Sequence, residues 1–169
     1  MDALLDAGAI DALIAADWPR CFLTGSPNVR RLFPDYHARE IAYFRRTGRF
    51  PIMHNVVVRR EVYERHRWVA WALQKGFVAA KALGMRWLSA LAALAAAAPF
   101  LMHTLEETRA LMGADYWPYG LAANRRELEA LLADLREQRL TIRRFDPEEL
   151  FAPETHAELD PEQEAARPT

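Results

Sequence analysis

Residues 51–59, Pro-Ile-Met-His-Asn-Val-Val-Val-Arg, are the run that most restricts how this chain folds. β-Branched and apolar side chains favour a pleated, buried setting, and proline stands only at the entry, where a missing N–H does least harm. The run therefore predicts a central strand carrying His54. Directly after it, Val62, Trp68, Val69, Leu73, Phe77 and Ala80 recur at helical spacing between Glu61 and Met85, which predicts a long amphipathic helix. A strand feeding straight into such a helix points to an α/β architecture, helix-rich and with a few strands.

The flanking stretches extend that pattern. Ala3, Leu4 and Leu5 followed by Gly8 read as a helix tail with a glycine stop, and Ile10 to Ala15 as a short buried strand. Pro19, Gly25, Ser26 and Pro27 break regular structure, giving a loop or crossover from Trp18 to Pro34. Tyr36, Ile41, Tyr43 and Phe44 supply one face of a helix over 35–46, which Thr47 and Gly48 end. An alanine-rich helix is expected up to Ala98, with Pro99 to stop or kink it. A further helical stretch covers Leu105 to Leu111, and Gly113 closes it ahead of an ordered loop, Asp115-Tyr116-Trp117-Pro118-Tyr119-Gly120. Leu128, Leu131, Leu132 and Leu135 share one face of a helix over 124–138, with Asn124 as its N-cap. Ile142 and Phe145 mark a short extended segment, residues 146–151 a capped helical turn, and the acidic tail over 156–169 is expected to be disordered.

Composition removes several function classes. A hydrophobic share of 51% with 27% charged residues supports a real core, while a net charge of -1 with evenly spread signs creates no field to gather polyanions or coat a membrane. Nucleic acid and membrane are therefore not expected as partners. Cys21 is the single cysteine, so neither an intrachain disulfide nor a four-thiolate metal site can form within one chain. Met1-Asp-Ala-Leu-Leu-Asp lacks the basic-then-apolar pattern of a secretory signal, so a cytoplasmic location is expected. The apolar run from Trp87 to Met102 is shorter than the ~20 residues a spanning helix needs. His37, His66, His103 and His156 show no paired ligand spacing, and no metal site is expected. There is no phosphate-cradling glycine loop, nucleophile elbow or nucleophilic-cysteine signature, which disfavours nucleotide and covalent chemistry.

Four stretches taken together carry a resemblance: Gly8-Ala-Ile-Asp-Ala-Leu-Ile, Arg31-Leu-Phe-Pro-Asp35, Arg46-Thr-Gly-Arg-Phe-Pro-Ile-Met-His54, and Tyr116-Trp-Pro-Tyr-Gly120 with Asn124 and Arg125. Glu149-Leu-Phe-Ala-Pro-Glu-Thr155 adds a fifth. In order and spacing the set resembles the 4,5-dihydroxyphthalate decarboxylases, and the likeness runs over nearly the whole chain. It implies a partial type 2 periplasmic-binding-protein-like fold, with ligand bound between two lobes. Residues 1–34 would then be the end of the second lobe and the crossover, residues 35–155 the C-terminal part of the first lobe, and 156–169 a tail. The first part of that fold would be missing, and a lobe severed at the crossover would expose apolar surface open to self-association. One departure stands out. Where the family has Ala-Arg-x-Pro, this chain has Ala16-Asp17-Trp18-Pro19, a reversed charge that bears on substrate identity.

The resemblance implies decarboxylation of an aromatic dicarboxylate, 4,5-dihydroxyphthalate to 3,4-dihydroxybenzoate, without a cofactor. Each carboxylate of that substrate lies para to a hydroxyl, so ionising the hydroxyl pushes electrons to the carbon bearing the carboxylate, which can then take a proton and lose carbon dioxide. Such a route needs an acid/base group, a ring platform and a cationic anchor. His54 is the candidate acid/base, although a histidine on a buried strand is also what a hydrogen-bonded core residue looks like. Trp117 and Tyr119 are candidate ring contacts, or they simply seal a turn that Pro118 and Gly120 already explain. Arg31 and Arg49 are the preferred carboxylate anchors among arginines that otherwise read as surface charge. A solute-binding protein that captures a small carboxylate without chemistry is the competing reading, and Asp17 leans toward it.

Overall fold

In a computed structural model, which describes residues 1–90, 97–157 and 159, regular structure is helical throughout. Two compact units divide the chain, Met1–Arg46 and Thr47–Thr169.

In the first unit α1 (Asp2–Asp6) and α2 (Arg20–Leu23) are tied by side chains. The Asp2 carboxylate accepts the Cys21 backbone N–H at 2.9 Å, an orphan first-turn donor of α2 that the short helix cannot satisfy itself. The Ser26 hydroxyl donates to Asp6, and Asn28 Nδ2 donates to the Asp6 carbonyl at 3.0 Å. Cys21 is buried at this junction. Helix α3 (Tyr36–Thr47) follows, and Gly48 ends it at φ 61°, a left-handed backbone that glycine adopts without strain.

The second unit is built around α5 (Trp68–Leu88), preceded by α4 (Arg60–Arg65) and followed by α6 (Leu101–Met112) and α7 (Arg125–Glu137). Two 3-10 turns, Pro147–Leu150 and Pro153–Thr155, fold back on these helices. The second turn packs on α5, where Gln74 Nε2 donates to the Thr155 carbonyl at 3.2 Å. The first packs on α7 through an ion pair between Arg125 and Glu148. That turn carries the expected cap: the Asp146 N–H donates to Glu149 Oε1 at 2.9 Å. Among the described residues the buried apolar side chains of this unit include Ala70, Val78, Leu105, Leu121 and Leu128. Many large apolar groups stay in water. On α5 alone Trp68, Trp71, Leu73, Phe77, Leu83 and Trp87 are exposed, so this helix carries apolar surface beyond the face it buries.

The helices over 36–47 and 125–137 fall where periodicity and glycine or polar stops put them, and α6 begins just after Pro99 and ends at Gly113, where φ is 94°. The strands do not form. Among the described residues there is no strand, so the expected α/β, partial type 2 periplasmic-binding-protein-like fold is corrected to an all-helical arrangement with irregular connections. Residues 51–59 are irregular, with Val56 and Val57 60% and 88% exposed, and residues 10–15 likewise, with Ile14 in full contact with solvent. The physical reason is pairing. A β-branched run favours extended backbone, but a strand exists only where a neighbour supplies ladder hydrogen bonds, and none of the described residues does so here. The extended segment expected at Ile142 and Phe145 is irregular for the same reason.

The single helix expected over 61–85 is two helices. His66 leaves the helical region at φ -140°, ψ 63°, and α5 restarts with the Val69 N–H on the His66 carbonyl at 2.9 Å. Residues 91–96 of the alanine-rich helix, and the tail apart from residues 156, 157 and 159, lie outside the described residues. Among the described residues no helix is long and apolar enough to cross a membrane.

Candidate functional site

An open concavity of about 770 Å³ lies within the second unit. Its floor is the face of α5 that presents Ala70, Leu73, Gln74 and Phe77, a set at i, i+3, i+4 and i+7 that helical geometry puts in one stripe. One wall is the irregular run from Phe50 to Val58, the other is the turn from Tyr116 to Leu121, and residues 149–153 with Thr155 complete the rim. At 770 Å³ it falls within the range of small-molecule sites, mostly apolar with a few polar groups.

The turn is fixed by Asn124. Its Nδ2 donates to the Pro118 carbonyl at 3.0 Å and to the Gly120 carbonyl at 2.9 Å. Asn124 does occupy the N-cap position of α7, as its sequence context implies, but its side chain makes no cap hydrogen bond and instead ties the turn to the helix. Lys81 supports the turn from α5: its side chain is 11% exposed, pairs with Asp115 at 2.5 Å and sits 5.0 Å from the Tyr119 ring centroid. The Trp117 ring lies 5.8 Å from Phe50 at a 57° tilt, an aromatic contact that joins the two walls.

Three of the sequence candidates meet here. His54, Trp117 and Tyr119 all line the concavity. His54 is exposed, and no hydrogen bond or ion pair engages it among the described residues, unlike a core histidine satisfied by its neighbours. The two arginines do not join them. Arg31 belongs to the first unit, where its guanidinium lies 4.5 Å from the Tyr36 ring, 4.6 Å from Trp18 and 5.2 Å from Phe22. Arg49 is half-buried, with its backbone N–H on Thr47 Oγ1 at 3.2 Å, and is not among the lining residues.

Most of the lining residues were not candidates from sequence, among them the polar Arg60, Tyr63, Gln74 and Tyr116. Arg60 carries the cation. Its side chain is 85% exposed and reaches Glu64 only at 4.0 Å, a surface pair that holds it weakly. The Tyr63 hydroxyl donates to Glu154 Oε2 at 2.8 Å, and Arg67 approaches the other oxygen at 3.5 Å. That carboxylate pushes the Tyr63 phenol above its usual range. Glu154 is held below the usual carboxylate range, first by its own backbone amide and then by the Tyr63 hydroxyl. Gln74 had a readable signal, because it is the polar member of an otherwise apolar helical stripe. Among the described residues no group of three His, Cys, Asp or Glu side chains converges as a metal site.

Over 150 residues the chain is 39% identical to 4,5-dihydroxyphthalate decarboxylase of Comamonas testosteroni, an alignment that takes in 89% of this chain and 46% of that enzyme. No protein-family model matches. The chain is thus similar to a decarboxylase over most of its own length, and it spans about half the length of the curated relative it matches.

Proposed function

We propose that this chain belongs to the 4,5-dihydroxyphthalate decarboxylase family and that its concavity binds an aromatic dicarboxylate for decarboxylation. The observation that carries the reading is the meeting of His54, Trp117 and Tyr119 in one concavity, in a chain 39% identical to such an enzyme. In this reading the aromatic ring lies against Trp117 and Tyr119, and a carboxylate pairs with Arg60, whose planar guanidinium suits two parallel hydrogen bonds. Arg60 takes the anchoring role expected of Arg31 or Arg49 because it lines the concavity.

The chemistry is a proton transfer and a bond cleavage. The substrate hydroxyl para to the departing carboxylate gives up its proton to solvent at the open mouth. Electrons from the phenolate flow to the carboxylate-bearing carbon, which takes a proton from the His54 imidazolium. The carbon–carboxylate bond then breaks, carbon dioxide leaves, and the bonding pair restores the aromatic ring as a phenolate that regains its proton from water. Positioned general acid catalysis of this kind is worth roughly 10²–10⁴-fold in rate.

The test uses substrate labelled with carbon-13 in its carboxylates and follows labelled carbon dioxide and 3,4-dihydroxybenzoate. The wild-type chain is expected to release both, and His54→Ala to slow release by at least ~10²-fold with the fold intact by circular dichroism. Unchanged turnover in the variant removes His54 from the mechanism. Saturable binding with no carbon dioxide replaces the enzyme reading with capture of a small carboxylate.

A further inference from the structure

Helix α5 buries one side and leaves a second apolar side in water. Ala70, Val78 and the stem of Lys81 face inward. At 3.6 residues per turn, Val69, Gly76, Ala80, Leu83 and Trp87 fall together on the opposite side, and the cations of the helix, Lys75, Lys81 and Arg86, fall off it. Gly76 and Ala80 are exposed there, Leu83 is 38% exposed and Trp87 61%. A solvent-facing helix side ordinarily carries charge, and a helix that is apolar all round is a buried one. The glycines are a second, independent observation. Glycine inside a helix is unfavourable relative to alanine and earns its place where another backbone comes close. Yet a Cβ at Gly76 or at Gly84 would meet no neighbour within 4 Å among the described residues. The room these glycines leave is unused by the chain itself.

The same face reads nearly alike in both directions about Val78. Gly76 answers Ala80, Leu73 answers Leu83, Ala72 answers Gly84 and Val69 answers Trp87. Two such faces laid antiparallel about a twofold axis put each residue level with its counterpart. Gly76 then meets Ala80 at the centre, while Leu73 meets Leu83 and Val69 meets Trp87 farther out. Crossing helices are closest where they cross and diverge from there, so small residues at the centre and larger ones outside fit that geometry. We propose that this face of α5 is the contact of a twofold dimer, and that what covers it is the α5 of a second copy of this chain. A face made for a different protein would need no such symmetry. Leu73 also lines the concavity, so the dimer contact and the candidate site share an edge. One helix face is smaller than the ~800 Å² that each partner of a standard interface buries, which puts the expected dissociation constant at roughly 10–100 μM.

Sedimentation velocity of the whole chain from about 5 to 500 μM tests the proposal over that range, and a monomer passing to a dimer and no further is expected. Gly76→Leu adds apolar surface in open space and improves helix propensity, so its melting temperature should equal or exceed that of wild type. It nevertheless holds the two backbones apart, and dimerisation should weaken by roughly tenfold or more. Ala80→Leu repeats the test from the other side of the crossing. For orientation, a short bis-maleimide should join chains carrying Ala72→Cys to chains carrying Gly84→Cys and join neither kind to itself, with wild type as the blank for the buried Cys21. A chain that stays monomeric at 500 μM overturns the proposal and leaves the face to another partner. Dimerisation unchanged or tightened in both leucine variants overturns it as well, because non-specific apolar contact gains from added surface. So do growth beyond the dimer, cross-linking of each cysteine variant to itself, and a lower melting temperature in both leucine variants, which would place Gly76 and Ala80 against the chain's own fold.

Discussion

The turn at 116–121 and the irregular run at 51–58 line the same concavity, yet among the described residues only the first is held by hydrogen bonds. Asn124 clamps two carbonyls of the turn, and Lys81 grips it through Asp115 and the Tyr119 ring. The opposite wall has no backbone hydrogen bond to any described segment; it is located by the Phe50–Trp117 contact at one end and the start of α4 at the other. The difference teaches how a site divides its labour. Under the proposed function, a ring platform gains from rigidity because it orients a planar ligand, whereas His54 as the acid would need to approach a carbon that changes geometry during the reaction.

Amide hydrogen exchange gives the largest contrast. Amides inside α7 should exchange at least ~10³-fold more slowly than intrinsic rates, and those of residues 52–58 close to intrinsic rates, as local stability varies across a fold. Strong protection of 52–58 would mean that a ladder partner is present. Protection that grows with protein concentration would identify that partner as a second copy, in keeping with the exposed Val56, Val57, Trp68 and Trp71.

Truncating the helix that backs the turn is the next largest effect. Leu128 is 2% exposed, and Leu128→Ala should cost about 2–5 kcal/mol in a urea titration. A loss under ~1 kcal/mol would show that α7 is not part of the cooperative core. Asn124→Ala removes both clamps and should cost about 1–3 kcal/mol while weakening ligand affinity. Affinity unchanged in that variant would mean the turn needs no clamp. Smaller again is the acid limb. Glu148 is held low first by Arg125, Glu149 first by Arg143, and Glu154 first by its own backbone amide. Depressed carboxyl groups stabilise the fold above their ordinary range and lose that contribution as pH falls through their lowered values. The melting temperature should therefore hold from pH 7 to about pH 5 and decline below it. A flat profile down to pH 3 would contradict these pairings.

Much of the helical frame is legible in the sequence because its causes are local. Tyr36, Ile41, Tyr43 and Phe44 recur at helical period and Gly48 supplies the left-handed stop, so α3 can be read from twelve neighbouring residues. The strands are not local objects. Residues 51–59 have the composition of a central strand, but whether they become one depends on neighbours that composition cannot report. The site divides the same way. His54, Trp117 and Tyr119 stand out as residue types in motif-like settings. Arg60 and Tyr63 stand out only as lining residues of the concavity, and that appears only once the chain is folded. Arg31 depends on the fold in the same way: Trp18, Phe22 and Tyr36 are scattered in sequence and become its neighbours only in three dimensions.

The central claim is that the concavity of the second unit is the ligand site, and a backbone amide NMR titration with 4,5-dihydroxyphthalate tests it most directly. Saturable shift changes are expected at Phe50 to Val58 and Tyr116 to Leu121, larger in the unclamped wall than in the turn. Shifts confined to residues around Arg31 in the first unit, or none at millimolar ligand, would contradict it.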